Sequence, residues 1–457
     1  MLISVKNTAI LSKLSKEELE KIKAHLTISN PLFSRKLDLG LAIFGVPSQL
    51  TYYNQIDEET LEIPVGAVSS IITFSSKILT KGALIDNRTV GLKTDYFNDL
   101  EFTGTLRNYQ THMVNAALDK TVGVIQAKTG SGKTIAFVKL TLDRKVPTLI
   151  LVNTIELANQ TIDKFVKFTS LEKEDIGFIG NGKFDVKPIS VGLHQTLNKL
   201  DDSKYQILND TFGQIIADEV HIVAASTYYE NMNKLNAKYK FGFSATPFRT
   251  DGLTQVIHFA TGPLIHQVPI DDLGFLIQPD HIKIDTNYFF PLLNSSEYQM
   301  MINDLSQDAE RNQLIVDTLK DYPDNYICLL CQRVRQAEIL KEMIPDSLIL
   351  VSQSKKYKVN KKQREEIIRQ IMDKEKRIII STFPLFSTGI DIPHLDVLFL
   401  CAPTKNRIVL TQAAGRLMRP ADGKESATIV DFVDKRIDML KGHYYARKKI
   451  LKDGKKN

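Results

Sequence analysis

The stretch "AKTGSGKT", residues 127–134, constrains the fold of this chain more than any other segment. It follows "VGVIQ", an apolar run typical of a buried strand, and it opens "TIAFVKLTL", which has the pattern of a helix. A glycine-rich turn between a strand and a helix directs backbone N–H groups at a phosphate. An ordinary glycine-rich turn is the alternative, but it does not explain why strand, Lys-Thr pair and helix occur together. We therefore predict a phosphate-binding loop.

The residue types of this loop predict how it binds a nucleotide. Lys133 is expected to reach the terminal phosphates, and the Thr134 hydroxyl to ligate Mg²⁺. Ala127 replaces the usual first glycine, but glycines remain where the loop must turn tightly. ATP and Mg²⁺ are the predicted cofactors. The loop residues predicted to contact the nucleotide are Thr129, Gly130, Ser131, Gly132, Lys133 and Thr134.

Apolar runs and helical segments alternate from about residue 105 to the end of the chain. The runs "TLILVN", "QIIADE" and "YKFGFSAT" belong to a first block, and "YICLLC", "RIIIST" and "ATIVDFV" to a second. Strands separated by helices predict parallel sheets covered on both faces. The predicted fold class is α/β, with two tandem parallel-sheet domains at residues 101–260 and 306–457 joined by a connection at 261–305.

Residues 1–100 have a different pattern, which predicts a small N-terminal α+β module. "LSKEELEKIKAHL" has helical periodicity, a serine suited to cap the helix and glutamates in the first turn. "LDLGLAIFGV" and "QLTYYNQIDEETLEIPVGAVSSII" are interpreted as strands interrupted by Gly and Pro.

An acidic pair, Asp218 and Glu219, ends the apolar run "QIIADEVH". Ligands of open α/β sheets bind at the carboxyl ends of the strands. Asp218 is therefore predicted to hold Mg²⁺, and Glu219 to orient or deprotonate the attacking water. A solvated turn is the alternative, which the nearby phosphate-binding loop makes less attractive.

Two arginines three residues apart, Arg416 and Arg419, lie in "QAAGRLMRP" at residues 412–420, which we interpret as the start of a helix. They would share one helical face. If the second α/β domain faces the first, they could stabilise charge on the transferring γ-phosphoryl group, as an arginine finger does. The alternative is a surface helix with two solvated arginines.

Composition excludes several classes of protein. Of 457 residues, 43% are hydrophobic and 25% charged, which is typical of a soluble globular chain. No apolar run approaches the ~18 residues of a membrane span, so we expect a cytoplasmic protein without membrane contact. The cysteines Cys328, Cys331 and Cys401 are too few for a disulfide framework. "CLLC" lies in a predicted strand, where residues three apart point to opposite faces, so no structural metal site is expected.

The net charge of +6 is unevenly distributed. Residues 435–457 contain nine Lys and Arg against two Asp, a net of +7, so the rest of the chain carries about −1. A basic tail of this kind can bind phosphate backbones or remain solvated, and the sequence leaves both open.

An ordered series of motifs resembles that of the superfamily 2 helicases, whose motor consists of two RecA-like domains. It spans residues 105–432, and "SATPFRTDG" together with the N-terminal "IPVGAV" is similar to the phage UvsW-like and XPB-like branch-migration helicases. The series consists of "LRNYQ", "AKTGSGKT", "LVNTIELANQ", "VGLHQTL", "DEVH", "FSATPFRTDG", "STFPLFSTGIDIP" and "QAAGRLMRP". "NTIEL" lacks the proline and arginine that the family has at that place.

The resemblance implies roles for further residues. Gln110 would read the adenine edge, with Arg107 beside it, and Gly389 and Asp391 would line the nucleotide from the second domain. Residues implied to couple the phosphate site to domain movement are His221, Ser244, Thr246 and Gln412. Residues implied to contact nucleic acid are Thr154, Thr196, Arg249 and Thr382, although each Thr could instead cap a helix or stabilise a turn.

Taken with the residues, the resemblance implies an ATP-dependent motor on branched DNA, at forks or Holliday junctions, acting in the host cytoplasm if it is phage-encoded. The sequence does not indicate protein partners. The alternatives are an RNA helicase and a duplex translocase that does not unwind. A P-loop kinase of small molecules would not need the second domain, and an inactive nucleotide-gated clamp would be expected to lack Lys133, Glu219 or Arg419.

Overall fold

The structure, a computed structural model, describes every residue except 39, 75–83, 221–224, 246–251, 270, 292–296, 353, 355, 358, 390–391 and 457. The chain divides into two compact units, Met1–Val268 and Pro269–Asn457. Among the described helices, none combines the length and hydrophobicity that crossing a membrane requires. Among the same residues, no group of three His, Cys, Asp or Glu side chains could hold a metal ion.

The first unit begins with a small mixed sheet and its helices. The sheet has the order β5-β6-β2-β1-β7, with only β1 and β7 parallel, and β3 pairs separately with β4. Its elements are β1 (Leu2–Val5), β2 (Thr8–Ser12), α1 (Lys16–His25), β3 (Thr27–Ser29), α2 (Pro31–Asp38), β4 (Gln49–Thr51), β5 (Asn54–Asp57), β6 (Thr60–Pro64), α3 (Val68–Phe74) and β7 (Leu84–Asp86).

Two local predictions for this region have opposite outcomes. The predicted first helix is confirmed, because Ser15 and Glu18 form a reciprocal capping box at the start of α1. The strand predicted in "LDLGLAIFGV" is wrong, since the described residues between α2 and β4 form turns. Gly40 and Gly45 there have φ of 63° and 72°, the left-handed region that turns a chain out of a strand.

The rest of the first unit is an eight-stranded sheet with the order β11-β10-β12-β9-β13-β14-β8-β15, parallel except for the edge strand β11. Its elements are α4 (Asn108–Leu118), β8 (Val122–Gln126), α5 (Lys133–Arg144), β9 (Thr148–Val152), α6 (Ile155–Phe168), β10 (Gly177–Gly180), β11 (Lys183–Phe184), β12 (Ile189–Leu193), α7 (His194–Leu197), α8 (Asp202–Thr211), β13 (Gln214–Asp218), α9 (Ala225–Lys234), β14 (Tyr239–Ser244), α10 (Thr254–Thr261) and β15 (Leu264–Gln267).

The second unit has a six-stranded, fully parallel sheet with the order β16-β21-β20-β17-β19-β18. Its elements are β16 (Asp280–Asp285), α11 (Tyr298–Leu305), α12 (Ala309–Thr318), β17 (Ile327–Cys331), α13 (Val334–Met343), β18 (Leu348–Leu350), α14 (Lys361–Met372), β19 (Ile378–Thr382), α15 (Phe383–Gly389), β20 (Val397–Leu400), α16 (Arg407–Leu417), β21 (Thr428–Val433) and α17 (Asp438–Lys456).

Burial in the second sheet follows from its parallel topology. Strands β17 and β20 are buried at every residue, as expected for a sheet covered by helices on both faces. Cys328 belongs to the core on one face and Cys331 to the core on the other, as the strand period predicts. Burial raises the pKa of both thiols. The predicted class, two tandem parallel-sheet α/β domains, is confirmed.

The N-terminal sheet packs directly on the first α/β domain. Its core includes Ile3, Leu11 and Ile63 and continues into Phe259 of α10. The two parts approach closely at Gly66, where an added Cβ would lie 2.4 Å from the Gly262 nitrogen and 2.6 Å from the Phe259 carbonyl oxygen. Removing residues 1–100 would therefore expose apolar surface of the first α/β domain.

We predict that Gly66→Ala lowers the free energy of unfolding by about 2–4 kcal/mol, because the methyl group would collide with backbone atoms that no rotamer change can move. Gly442→Ala in α17 is the matched control, since its Cβ meets no atom within 4 Å. That control should be neutral or stabilise the helix by about 0.5–1 kcal/mol. Equal thermal midpoints for the two variants would contradict the close packing at Gly66.

Candidate functional site

The loop between β8 and α5 has the backbone of a phosphate cradle. Gly130 and Gly132 have φ of 87° and 78°, which side-chain-bearing residues rarely adopt. Ala127 is outside this left-handed region, so replacing the usual glycine there causes no strain. Its N–H donates to the Ser244 carbonyl over 2.9 Å, which joins the loop to the end of β14.

The start of α4 holds this loop through one carbonyl group. The Ser131 carbonyl accepts hydrogen bonds from the Tyr109 hydroxyl at 2.8 Å and from the Gln110 amide at 2.9 Å. The Gln110 side chain also accepts from the Arg107 N–H at 2.9 Å. A Cβ at Gly132 would lie 2.4 Å from the Gln110 amide nitrogen, so the glycine makes room for this contact. Sequence reasoning selected Arg107 and Gln110 but missed Tyr109, although it lies between them in "LRNYQ".

Two loop hydroxyls are buried without protein partners. In the described part of the chain, neither Thr129 Oγ1 nor Ser131 Oγ has a hydrogen-bond partner. Buried polar atoms are normally satisfied, so such atoms in a glycine-rich loop are candidates for ligand contacts. Thr134 lies in the first turn of α5.

Lys133, Asp218 and Glu219 meet at the carboxyl edge of the sheet. The Lys133 ammonium donates to the Glu219 carboxylate, and the two side chains are only 9% and 12% exposed. The Glu219 N–H donates to an Asp218 carboxylate oxygen at 2.9 Å. β13 ends at Asp218, separated from β8 by the single strand β14, so strand order brings the acids to the loop.

Burial dominates the electrostatics of this cluster. It raises the pKa of Asp218 to about 7, an effect that Lys133 opposes and the Glu219 charge reinforces. Glu219 has a φ of 49°, a left-handed conformation that costs on the order of 1–3 kcal/mol for a residue other than glycine. Hard oxygen ligands suit Mg²⁺, and the Asp218 carboxylate with the Thr134 hydroxyl fits that donor set.

The structure corrects the position of the two arginines. Asn406 caps α16 by accepting from the N–H groups of Ile408 at 3.1 Å and Val409 at 3.2 Å, so the helix starts at Arg407. Arg416 is therefore in the last turn, and Arg419 is beyond the end of the helix. The prediction that they open a helix and share its face is wrong, because the capping residue lies ten positions before Arg416.

Arg416 and Arg419 are both half-buried. The Arg416 guanidinium donates to the Phe386 carbonyl at 2.7 Å, three residues before Gly389 at the end of α15. Lys424, which sequence reasoning missed, donates to the carbonyls of Leu417 and Arg419 at the end of α16. A cation stabilises a helix C-terminus, and burial lowers the pKa of this lysine to about 8.

The other predicted residues have the following positions. Ser244 and Gln412 are buried, Ser244 at the end of β14 and Gln412 within α16. Thr154 caps α6 by accepting from the Leu157 N–H at 3.2 Å, Thr196 lies in α7, and Thr382 ends β19. Residues outside the described part of the chain are His221, Thr246, Arg249 and Asp391.

Comparison with known proteins matches two family models, in the order of the two sheets. Residues 103–249 match the model described as type III restriction enzyme, res subunit. Residues 310–421 match the helicase conserved C-terminal domain.

Similar proteins include a putative ATP-dependent RNA helicase of Acanthamoeba polyphaga mimivirus, 28% identical over 79% of this chain and 70% of that protein. The DNA 3'-5' translocase XPB2 of Sulfurisphaera tokodaii is 26% identical over 72% of this chain and 82% of that protein. The structure of S. cerevisiae Dbp5 bound to RNA and ADP BeF3 shares the fold, with a TM-score of 0.55 and 15% identity over 77% of this chain and 93% of that chain.

Tandem RecA-like sheets, a P-loop and matches to helicase families define a nucleic-acid-dependent ATPase. The chain belongs to the superfamily 2 helicases, and its predicted resemblance to the XPB-like members is confirmed. A helicase of this class hydrolyses ATP and binds nucleic acid.

The raised pKa of Asp218 predicts a pH-dependent stability in the absence of nucleotide and divalent cation. Ionised Asp218 destabilises the fold, and this penalty is small near pH 4 and grows as the pH rises to about 7. Asp218→Asn should therefore stabilise the protein by about 1–3 kcal/mol at pH 8 and very little at pH 4. Thermal melts at both pH values measure this, with the exposed Asp99→Asn as control. An equal stabilisation by Asp218→Asn at both pH values would contradict a raised pKa of Asp218.

Proposed function

We propose that this chain is an ATP-driven motor that moves on DNA and acts on branched substrates such as forks and Holliday junctions, in recombination, repair or replication. The observation that carries the proposal is the buried contact between Lys133 and Glu219 beside Asp218. A structural ion pair would not need the glycine cradle, the strained Glu219 backbone or a second buried acid. Together these features support phosphoryl transfer to water.

In this proposal Lys133 and Glu219 act in sequence. Without nucleotide, each neutralises the other. The phosphates of bound ATP attract the Lys133 ammonium, which frees the Glu219 carboxylate to accept a proton from water and orient that water. Thr134 and Asp218 would hold Mg²⁺, which neutralises phosphate charge when bound. The buried contact would therefore keep the base occupied until substrate arrives.

The remaining predicted residues complete the proposed motor. We propose that Arg416 and Arg419 neutralise charge on the γ-phosphate as it is transferred, and that Gly389 and Asp391 line the nucleotide. Coupling of hydrolysis to movement is assigned to His221, Ser244, Thr246 and Gln412. Backbone contacts to nucleic acid are assigned to Thr154, Thr196, Arg249 and Thr382. Thr154 uses one lone pair to cap α6, which leaves its O–H proton to donate to a phosphate oxygen.

DNA is the proposed partner because a similar protein is named a DNA 3'-5' translocase. RNA is the second candidate, favoured by the mimivirus protein named an RNA helicase. In either case a phage-encoded motor would act in the host cytoplasm.

The N-terminal module supplies an apolar loop that supports a role at branch points. Phe44 is 100% exposed and Leu41 is 55% exposed, between the left-handed residues Gly40 and Gly45. An exposed aromatic ring can stack on an unpaired base, which branched DNA offers and intact duplex does not. We therefore assign substrate selection to this loop.

The proposal predicts that ATP hydrolysis is stimulated most by forked or four-way junction DNA. Turnover should be compared on forked DNA, a four-way junction, linear duplex, single-stranded DNA and RNA of equal length. The largest kcat/KM for branched DNA would support the proposal. Equal or greater stimulation by RNA would favour the RNA helicase, and no stimulation by any nucleic acid would contradict the motor.

Variants in the same assay separate the assigned roles. Arg419→Ala should lower kcat on the order of 10³-fold with little change in ATP affinity, and Arg419→Lys should restore little, because a point charge does not replace the guanidinium fork. Phe44→Ala should lower the preference for branched over linear DNA while sparing kcat. An unchanged kcat in Arg419→Ala would contradict the role of Arg419 at the γ-phosphate. An unchanged preference for branched DNA in Phe44→Ala would contradict the role of Phe44 in substrate selection.

A further inference from the structure

The last helix of the chain, α17, carries the charge that the rest of the molecule lacks. Residues 435–457 have a net charge of +7, whereas the whole chain has +6. Residues 1–434 are therefore close to neutral. A nucleic-acid-dependent motor must bind polyanions, and its net positive charge lies in residues 435–457, most of which form α17.

Helix α17 has two distinct faces. With 100° of rotation per residue, Lys441, Tyr445, Lys448, Lys449 and Lys452 fall within about 100° of arc. Lys441, Tyr445, Lys449 and Lys452 are exposed and Lys448 is half-buried. We call this set the lysine stripe. The opposite face is buried and includes Leu440, His443, Tyr444 and Arg447.

Arg447 anchors the helix so that the stripe is held in one orientation. Its guanidinium makes two hydrogen bonds to Asp431 of β21, at 2.9 and 2.7 Å, and both residues are almost fully buried. Its third hydrogen bond goes to the Thr404 carbonyl at 3.2 Å. Breaking a buried pair of this kind costs about 3–5 kcal/mol, so α17 is a fixed element and not a loose tail.

The lysines of the stripe are not neutralised by any acid in the described part of the chain. In the described residues, none of its four lysines forms an ion pair, whereas Lys283 and Lys435 nearby both pair with Asp285. Tyr445 between them is 57% exposed. Asp438, in the first turn of α17, lies on the same side, but among the described residues it forms no ion pair with these lysines. An exposed aromatic ring within unpaired cations matches the composition of single-strand binding surfaces.

We infer that the lysine stripe binds the phosphate backbone of a single nucleic-acid strand, with Tyr445 stacking on one unpaired base. The inference rests on the proposed motor function for the identity of the ligand. Lys441 to Lys452 spans ~16 Å along the helix axis. A strand with one phosphate every ~3.4 Å presents about five phosphates over that length. The stripe is thus a contact for a strand outside the nucleotide-binding residues.

The test is equilibrium binding of the full-length protein to a fluorescent 30-nucleotide oligo-dT and to a 30-base-pair duplex, without nucleotide, across a salt series. The variant replaces Lys441, Lys448, Lys449 and Lys452 with Gln. The control replaces four exposed lysines elsewhere, Lys173, Lys183, Lys199 and Lys362, with Gln, an equal change of charge.

For the stripe variant we expect the slope of log K against log salt on oligo-dT to fall by about 3, because each lost phosphate contact removes ~0.7. Affinity at 0.1 M salt should fall on the order of 10²-fold, and the control should change little. Tyr445→Ala should weaken oligo-dT binding about tenfold but not duplex binding, and Tyr445→Phe should bind as the wild type.

Three results would overturn the inference. Equal slopes of log K against log salt for the stripe variant and the wild type would show that the lysine stripe is only solvated. Equal losses of oligo-dT affinity in the stripe and control variants would show a general effect of charge. A stripe variant that binds oligo-dT normally but loses binding to vesicles containing 30% phosphatidylserine would show a membrane surface.

ATP hydrolysis distinguishes failure of this inference from failure of the motor proposal. At saturating oligonucleotide the stripe variant should retain wild-type kcat, since none of its residues belongs to the proposed catalytic set. A wild-type enzyme that ignores every nucleic acid would contradict the motor, while the salt slopes would still decide whether the stripe binds phosphates.

Discussion

The contact between the Lys133 ammonium and the Glu219 carboxylate is the interaction around which the first α/β domain is arranged. Two acids and one lysine, all nearly buried, leave one negative charge in a region of low polarity when all are ionised. Isolated buried charges are costly, so the pair is stable only if the backbone holds its members together. The single intervening strand β14, the two left-handed glycines and the hydrogen bonds from α4 to Ser131 provide that constraint.

The N-terminal sheet is held on the first α/β domain, and α17 on the second, by a close and specific contact in each case. The N-terminal sheet meets α10 at Gly66, where backbone atoms leave no room for a methyl group. The basic helix α17 is fixed to β21 by Arg447 and Asp431. Both elements expose unusual side chains, Phe44 in the first and the lysine stripe in the second. Anchoring matters for function, because a contact surface that moves with a domain can transmit the movement of that domain to a bound strand.

Patterns that depend on local geometry could be predicted from the sequence. Strand, glycine turn and helix specified the phosphate cradle, and parallel-sheet topology required the acids after β13 to lie at the same edge. Two errors had local causes. Apolar residues around Phe44 suggested a strand, but glycines turn the chain there. Because Asn406 was not recognised as the helix cap, the predicted start of α16 lies too far along the chain. Tyr109 and Lys424 were missed because each donates to backbone carbonyls, and such contacts leave no pattern in the sequence.

The most direct test of the central claim is single-turnover hydrolysis by Glu219→Gln at saturating forked DNA, together with its ATP dissociation constant. If Glu219 is the base that Lys133 holds until nucleotide binds, ATP should bind as tightly as in the wild type or more tightly, because Lys133 loses a competing partner. The rate of hydrolysis should fall on the order of 10²–10⁴-fold. Hydrolysis within a few-fold of the wild type, or a loss of ATP affinity as large as the loss of rate, would contradict this account.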